Sequence, residues 1–137
     1  MPIFCRDEKI RVSENDGMFK PGEIVHAAFP FTDLTTSKRR PCLVLACCDS
    51  PDDFILAFIS SSAASNALPH SIAVDPRHAE WSKTGLKRPS LVRADKLTTL
   101  HLSVLSGAIG ALPDDLMRSV REKIRQLLCV AEGTRTN

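Results

Sequence analysis

The sequence contains no tyrosine, one tryptophan and only 5% aromatic residues in 137 positions. RNA-binding sheets of the RNP type stack bases on exposed aromatic rings, so this composition disfavours a base-stacking platform. Trp81 stands alone, and we expect Phe29 and Phe31, which flank Pro30, to anchor the core or a loop.

The five cysteines are an odd number and contain no CxxC pair. Cys47 and Cys48 would point to opposite faces of a strand, which suits neither a disulfide nor a shared metal site. The four histidines also lack the spacing of metal ligands. We therefore expect buried free thiols in a reducing compartment, with no metal and no other cofactor.

Long apolar runs are missing as well. The longest, Cys42 to Cys48, is too short to cross a bilayer, and the polar N-terminus does not look like a signal peptide. These absences predict a soluble cytoplasmic protein with no membrane partner. The length predicts one domain at 21–132, preceded by an N-terminal extension at 1–20 and followed by a tail at 133–137.

The positive charge is concentrated in one segment, although the whole chain carries only +2. Residues 84–101 contain one carboxylate, Asp95, against four cations, which are Lys87, Arg88, Arg93 and Lys96. This segment alone exceeds the net charge of the chain, so the positive field is local.

Short apolar runs separated by turn-rich segments predict a mainly β fold, a small antiparallel barrel or sandwich. The predicted strands cover 24–29, 41–48, 54–60, 71–74, 90–96 and 108–112. Pro113 to Asp115 then offers a helix start with acid in the first turn. An apolar stripe at helical spacing predicts an amphipathic helix of structural role to about Ala131, through Leu116, Val120, Ile124, Leu127 and Leu128.

The segment around Arg40-Pro41 predicts a strand, a basic loop and a second strand. Proline suits the first position of a strand because it fixes φ and lacks a donor. An arginine held against this rigid start is well placed to bind a phosphate with two hydrogen bonds. A solvated basic turn is the alternative interpretation.

Two further clusters could carry chemistry. In an extended strand Arg93 and Asp95 lie on one face, either as a structural salt bridge or as a base beside a charge-stabilising cation. The hydroxyls of Ser60, Ser61 and Ser62 could bind phosphate oxygens or simply solvate a turn. No activating histidine stands beside them, so a serine hydrolase is not favoured.

Taken together, these motifs resemble the MazF/PemK (Kid) family of toxin endoribonucleases. The resemblance spans roughly residues 18–130 and depends on the order of several separated motifs. They are Gly22–Val25, Arg40-Pro41 with Leu43–Leu45, Ile59-Ser60, Arg93–Thr99, Ile109–Leu112 and the terminal helix.

The resemblance implies an SH3-like β-barrel with a C-terminal helix, usually a homodimer. It also implies sequence-specific, metal-independent cleavage of single-stranded RNA by the ribose 2′-hydroxyl, leaving a 2′,3′-cyclic phosphate and a 5′-hydroxyl. Carried over by position, Arg40 and Ser60 would contact the scissile phosphate, Asp95 would be the general base, and Arg93 an acid or charge stabiliser. We assign RNA binding to Lys38, Arg39, Ser61, Thr35, Thr36, Lys87, Arg88 and Lys96.

The chain has Thr35-Thr-Ser-Lys38 where many members of the family carry a glutamate or histidine. The N-terminal extension also lacks a counterpart in compact members. We expect an acidic antitoxin as partner, because a mimic of RNA must compete for the same cations. The alternatives are a gyrase inhibitor resembling CcdB, an RNA-binding barrel without catalysis, and a plain structural module.

Overall fold

The computed structural model describes residues 19–29, 38–61 and 68–129. These contain six strands, two short 3-10 helices at Trp81–Thr84 and Leu102–Val104, and one α-helix. The strands are β1 Glu23–Phe29, β2 Lys38–Cys47, β3 Asp53–Ser60, β4 Ser71–Val74, β5 Ser90–His101 and β6 Leu105–Ala111, and the helix is α1 Asp114–Leu128. Every predicted strand is present, with β5 the most extended beyond its predicted end. The mainly β fold with a C-terminal helix is confirmed.

The six strands form one antiparallel sheet in the order β4-β5-β3-β2-β1-β6. A flat sheet of six strands would be about 24 Å wide. Nevertheless Val74 of β4 belongs to the same core cluster as Ile24 of β1, and Ile109 of β6 packs against it. The sheet therefore curls around this cluster as in a barrel, although β4 and β6 are not paired with each other.

The side chains of the central strands divide between two core clusters. The face of the sheet that carries Ile24, Leu43 and Val92 packs against α1 and is called the helix face below. The opposite face carries Val25, Ala27, Cys42, Val44, Phe54 and Leu56. Because neighbouring residues in a strand alternate between faces, a residue's position in the register fixes its face.

The helix α1 places Met117 and Val120 in the core and leaves Leu116 and Ile124 partly buried. The predicted stripe fails at Leu128, which is 64% exposed because it is the last helical residue, past the strands on which the helix packs. Acid in the first turn is confirmed, but Pro113 is the N-cap and gives no side-chain hydrogen bond. The helix also ends three residues before its predicted end at 131.

Two of the histidines, His78 and His101, fix loops through their side chains. The Nε2 atom of His78 lies 3.0 Å from both carboxylate oxygens of Asp115, at the start of α1. Its Nδ1 accepts a hydrogen bond from the backbone N–H of Glu80 at 2.9 Å. His101 accepts a hydrogen bond from the backbone of Ser103 at 3.0 Å, which caps the second 3-10 helix.

Of the described cysteines, Cys42 and Cys129 are free thiols. Cys42 is fully buried, and burial raises the pKa of its thiol to about 12. The prediction of burial is wrong for Cys129, which is exposed after the end of α1. Cys47 is the last residue of β2 and Cys48 lies beyond it, and both are half-buried.

None of the helices in these ranges has both the length and the apolar character needed to cross a membrane. Nor does any group of three potential metal ligands come together among the described residues. The N-terminal extension and the tail lie outside the described residues, so their predicted boundaries stay predictions.

Candidate active site

Arg40 lies on β2 directly across from Ala27 of β1. Since Ala27 belongs to the cluster of the opposite face, the side chain of Arg40 points to that face, where it is exposed. The next residue, Pro41, pairs with His26 and points to the helix face. The Arg-Pro pair thus divides between the two sides of the sheet.

Ser60 belongs to the same face as Arg40. The register of β2 with β3 pairs Cys42 with Phe58, and continuing it by two residues sets Ser60 across from Arg40. A guanidinium and a hydroxyl on adjacent strands, about 5 Å apart in backbone spacing, can contact the same phosphate group.

Arg93 and Asp95 form a bidentate pair on β5. The Nε and Nη2 atoms of Arg93 each donate to a carboxylate oxygen of Asp95 at 3.0 Å. These hydrogen bonds hold the pKa of the Asp95 carboxyl below its ordinary value, and the charge of neighbouring Lys96 lowers it further. The carboxylate is therefore ionised at neutral pH, and its side chain keeps 38% of its surface exposed.

The Arg93–Asp95 pair lies at an irregularity in β5. Ile59 of β3 pairs with Val92, and Ala57 pairs with Leu97. Four residues of β5, 93–96, therefore lie opposite one residue of β3. The extra residues, which include Arg93 and Asp95, bulge beside Phe58. Arg93 follows Val92, a helix-face residue, and so points to the opposite face with Arg40 and Ser60.

The four predicted catalytic residues therefore share one face and one end of the sheet. Arg40 and Asp95 lie on strands separated only by β3, which is about 10 Å across the sheet. Any ligand that contacts both groups must span this separation, part of which the long arginine side chain can cover. We call Arg40, Ser60, Arg93 and Asp95 the cleavage face.

The residues predicted to bind RNA do not all lie there. Lys96 is exposed on β5 next to Asp95. By alternation Arg39 and Ser61 point to the helix face, and Lys87 and Arg88 belong to the loop before β5 on that same side. The backbone of Lys38 opens β2, whereas Thr35 and Thr36 lie outside the described residues.

A pocket of about 500 Å³ opens on the helix face at the same end of the sheet. It is lined by His26, Pro41, Ser61, Gly85, Leu86, Lys87, Arg88, Ser90 and Ile109. His26 is not among the site residues predicted from the sequence. The signal that could have found it is a polar residue between two apolar residues of β1, Val25 and Ala27, which the structure buries.

A second pocket of about 400 Å³ lies between β1 and the start of α1. Lys20, Arg118 and Arg121 contribute positive charge to it, and Glu23 and Asp114 contribute negative charge. The mixed lining gives this second pocket no strong preference for an anion.

Several solved structures share this fold. The Mycobacterium tuberculosis toxin MazF-mt6 is 22% identical over 75% of this chain and 93% of its own, with a TM-score of 0.56. A MazE–MazF complex from Deinococcus radiodurans is 22% identical over 81% of this chain and 95% of that one, with a TM-score of 0.60. An endoribonuclease in complex with its cognate antitoxin, from a mycobacterial species, is 15% identical with the same coverage and a TM-score of 0.61.

No curated protein sequence matches this chain significantly. The family described as PemK-like, MazF-like toxins of type II toxin–antitoxin systems matches residues 20–128. The match begins before β1 and ends at the last residue of α1, so it takes in every strand and the helix. The chain belongs to this family of PemK-like and MazF-like toxins.

Proposed function

We propose that this protein is a sequence-specific, metal-independent endoribonuclease toxin that cleaves single-stranded RNA in the cytoplasm. The observation that carries the proposal is the placement of two arginines, a serine hydroxyl and a carboxylate on one face and one end of the sheet. Transfer at phosphorus needs a base, a bound phosphate and stabilisation of developing charge, and these groups can supply all three.

The proposed reaction is an attack by the ribose 2′-oxygen on the adjacent phosphorus. Asp95 takes the proton of the 2′-hydroxyl as the new P–O2′ bond forms and the P–O5′ bond breaks. The departing 5′-oxygen takes a proton from water, giving a 2′,3′-cyclic phosphate and a 5′-hydroxyl. Arg40 and Ser60 hold the nonbridging oxygens, with the guanidinium as a permanent cation.

Arg93 has two tasks in this scheme. In the free protein its bidentate contact lowers the pKa of Asp95, which keeps the carboxylate ionised but makes it a weak base. A bound phosphate competes for the same guanidinium, because a phosphate is itself a bidentate partner for arginine. As Arg93 turns to the phosphate, Asp95 loses its donor and becomes a stronger base when substrate is present.

RNA binding is assigned to cations and hydroxyls around the cleavage face. Lys96 lies beside Asp95, while Thr35, Thr36, Lys38 and Arg39 precede Arg40 in the chain. An acidic antitoxin is the proposed inhibitor, because a polyanionic segment would occupy the same positive groups as RNA. Two of the structurally similar proteins are complexes with an antitoxin, which supports this choice of partner.

The direct test is incubation of the purified protein with a long single-stranded RNA in EDTA. We expect discrete fragments with 2′,3′-cyclic phosphate ends, identified by mass spectrometry, and a loss of at least about 100-fold in rate for Arg40→Ala. Arg121→Ala removes an exposed cation on α1 and serves as the matched control.

Intact RNA with the wild-type protein would overturn the proposal, as would equal cleavage by Arg40→Ala. Salt-sensitive binding without products would identify an RNA-binding barrel instead, and gyrase captured with RNA intact would identify an inhibitor of the CcdB kind. The homodimer stays a prediction of the resemblance, tested by light scattering on the eluted protein.

A further inference from the structure

We propose that the pocket on the helix face binds one nucleotide of the RNA, with its base inside and its phosphate at Lys87 and Arg88. This inference rests on the proposed function and adds a second point of contact, on the other side of the sheet from the cleavage face. The site would take an anionic nucleotide rather than a neutral nucleoside.

The charge of the lining favours an anion. Two of its described residues are the cations Lys87 and Arg88, both exposed, and none of them is acidic. Neither cation makes an ion pair among the residues that the structure describes. The second pocket, by contrast, contains Glu23 and Asp114. Of these two pockets, the one on the helix face offers uncompensated positive charge.

The shape and remaining chemistry favour a base. Pro41, Leu86 and Ile109 give an apolar lining, against which a flat heterocycle can pack. The polar groups are few and lie among them: the His26 imidazole and the Ser61 hydroxyl make no side-chain hydrogen bond within the described ranges. Both can donate to or accept from the edge of a base. An acidic peptide would engage the cations but leave these apolar walls without a flat partner.

The loop that carries the two cations is rigidly attached. The hydroxyl of the buried Thr84 donates to the carbonyl of Trp81 at 2.8 Å and accepts from the backbone N–H of Leu86 at 3.1 Å. On the other side, the hydroxyl of Ser90 donates to the carbonyl of Arg88 at 2.8 Å. Lys87 and Arg88 are therefore held between two fixed points, so little ordering is needed on binding.

The position of the pocket suits a nucleotide close to the cleaved bond. Arg40 and Ser60 belong to the cleavage face, and the residues that follow them, Pro41 and Ser61, line the pocket. Only the thickness of the sheet separates the two sites. An RNA strand that passes over this end of the sheet can place one phosphate on Arg40 and a neighbouring nucleotide in the pocket.

Binding is tested first without cleavage, by titrating the four ribonucleoside 5′-monophosphates into the full-length protein. We expect the His26 imidazole signals to shift in NMR spectra, with at least one nucleotide, and to shift less with inorganic phosphate or the matching nucleoside. Arg88→Glu should weaken the nucleotide about tenfold, and Arg121→Glu, a matched charge reversal on α1, should not.

The same pair of variants is then tested on a non-cleavable 2′-deoxy-substituted RNA. Losing one phosphate contact reduces the slope of log affinity against log salt by about 0.7 for a single strand, and we expect this for Arg88→Glu only. With cleavable RNA, His26→Ala should redistribute the cleavage sites. Unchanged cleavage sites in His26→Ala, or nucleotides that leave the His26 signals unmoved, would overturn the inference.

These outcomes separate the inference from the proposed function. Nucleotide binding at His26 without any RNA cleavage would retain the pocket and reject the nuclease. Cleavage that depends on Arg40, together with a pocket that binds no nucleotide, would retain the nuclease and reject the pocket. A glutamate-rich peptide that shifts the His26 signals when no nucleotide does would assign the pocket to a protein partner and overturn the nucleotide site.

Discussion

Arg93 and Asp95 face one another along a single strand, and their two hydrogen bonds of 3.0 Å each leave the carboxylate ionised and partly exposed. The side chain of Arg93 is the more covered of the two, with 18% of its surface accessible. The guanidinium thus holds the carboxylate in a fixed position. A substrate that approaches the carboxylate also meets the positive charge of the guanidinium.

The first prediction concerns the acidic limb of the pH–rate profile. Because Arg93 lowers the pKa of Asp95, Arg93→Ala should raise that pKa toward the ordinary aspartate value of about 3.9. The acidic limb of kcat/KM then moves to higher pH, and the rate above it falls by about 100-fold or more as charge stabilisation is lost. Initial rates across the acidic range measure both effects.

Arg121→Ala is the control for this prediction, since it removes an exposed cation on α1 that does not contact Asp95. If the acidic limb of kcat/KM stayed at the same pH in Arg93→Ala while the rate fell, the limb would report the titration of a group other than Asp95. It would then leave Asp95 with a structural role only.

The second prediction concerns Gly85, which has a φ of 74° and lies against β6. A Cβ atom there would overlap the backbone carbonyl of Ile109, and the backbone conformation is itself unfavourable for other residues. We expect Gly85→Ala to lower the free energy of unfolding by about 2–5 kcal/mol. Chemical denaturation monitored by circular dichroism measures the loss.

Gly22→Ala separates the two causes. Gly22 also has a positive φ, of 98°, but no atom lies within 4 Å of the added Cβ. Its cost should be the backbone strain alone, about 1–2 kcal/mol. Equal losses in the two variants would show that the close approach of Gly85 to β6 contributes nothing.

The third prediction concerns stability in acid. The hydrogen bond from His78 is the main reason that the pKa of Asp115 lies below its ordinary value. A carboxyl with a lowered folded-state pKa stabilises the fold above its unfolded pKa of about 3.9, and this contribution is lost as pH falls through the lower folded-state value. Asp115→Asn should therefore flatten the decline in melting temperature below about pH 4.

Both side chains of this pair have solvent access, so the change in melting temperature should be small, within about 3 °C. Asp114→Asn is the matched control, because Asp114 lies in the same helical turn and has no side-chain hydrogen bond among the described residues. If both variants had the same melting temperature at every pH, the contact with His78 would contribute nothing to the pH dependence of stability.

The fourth prediction concerns thiol reactivity. Burial raises the pKa of Cys42 to about 12, so almost none of it is thiolate at pH 8. Cys129 is exposed. A maleimide should label Cys129 within minutes in the native protein and Cys42 only after unfolding, as peptide mapping would show. Rapid native labelling of Cys42 would contradict the packing of this core.

Much of the fold could be predicted from local sequence. Short β-branched runs with turn residues between them located all six strands, and the helical spacing from Leu116 to Leu127 located α1. The end of β5 was missed because Leu97–His101 lacks alternation, and tertiary pairing with β3 extends the strand there. Leu128 was misplaced because the periodicity of a helix continues past the surface on which the helix packs.

The candidate site was harder to predict in one specific respect. Alternation correctly put Arg93 and Asp95 on one face, since that depends only on neighbours along a strand. Which residues share a face across strands depends on register and on the bulge in β5, and neither is visible locally. For this reason Arg39, Ser61, Lys87 and Arg88 were grouped with Arg40, although they lie on the other side of the sheet.

The strand order has a consequence during synthesis on the ribosome. β1 lies between β2 and β6, and Leu112 donates its backbone N–H to the carbonyl of Gly22 at 2.8 Å. The first strand therefore completes its pairing only after the last strand has been synthesised. Such distant pairing is slow to form and cannot occur until β6 has been made. A nascent or prematurely released chain that lacks β6 therefore has β1 paired on one side only.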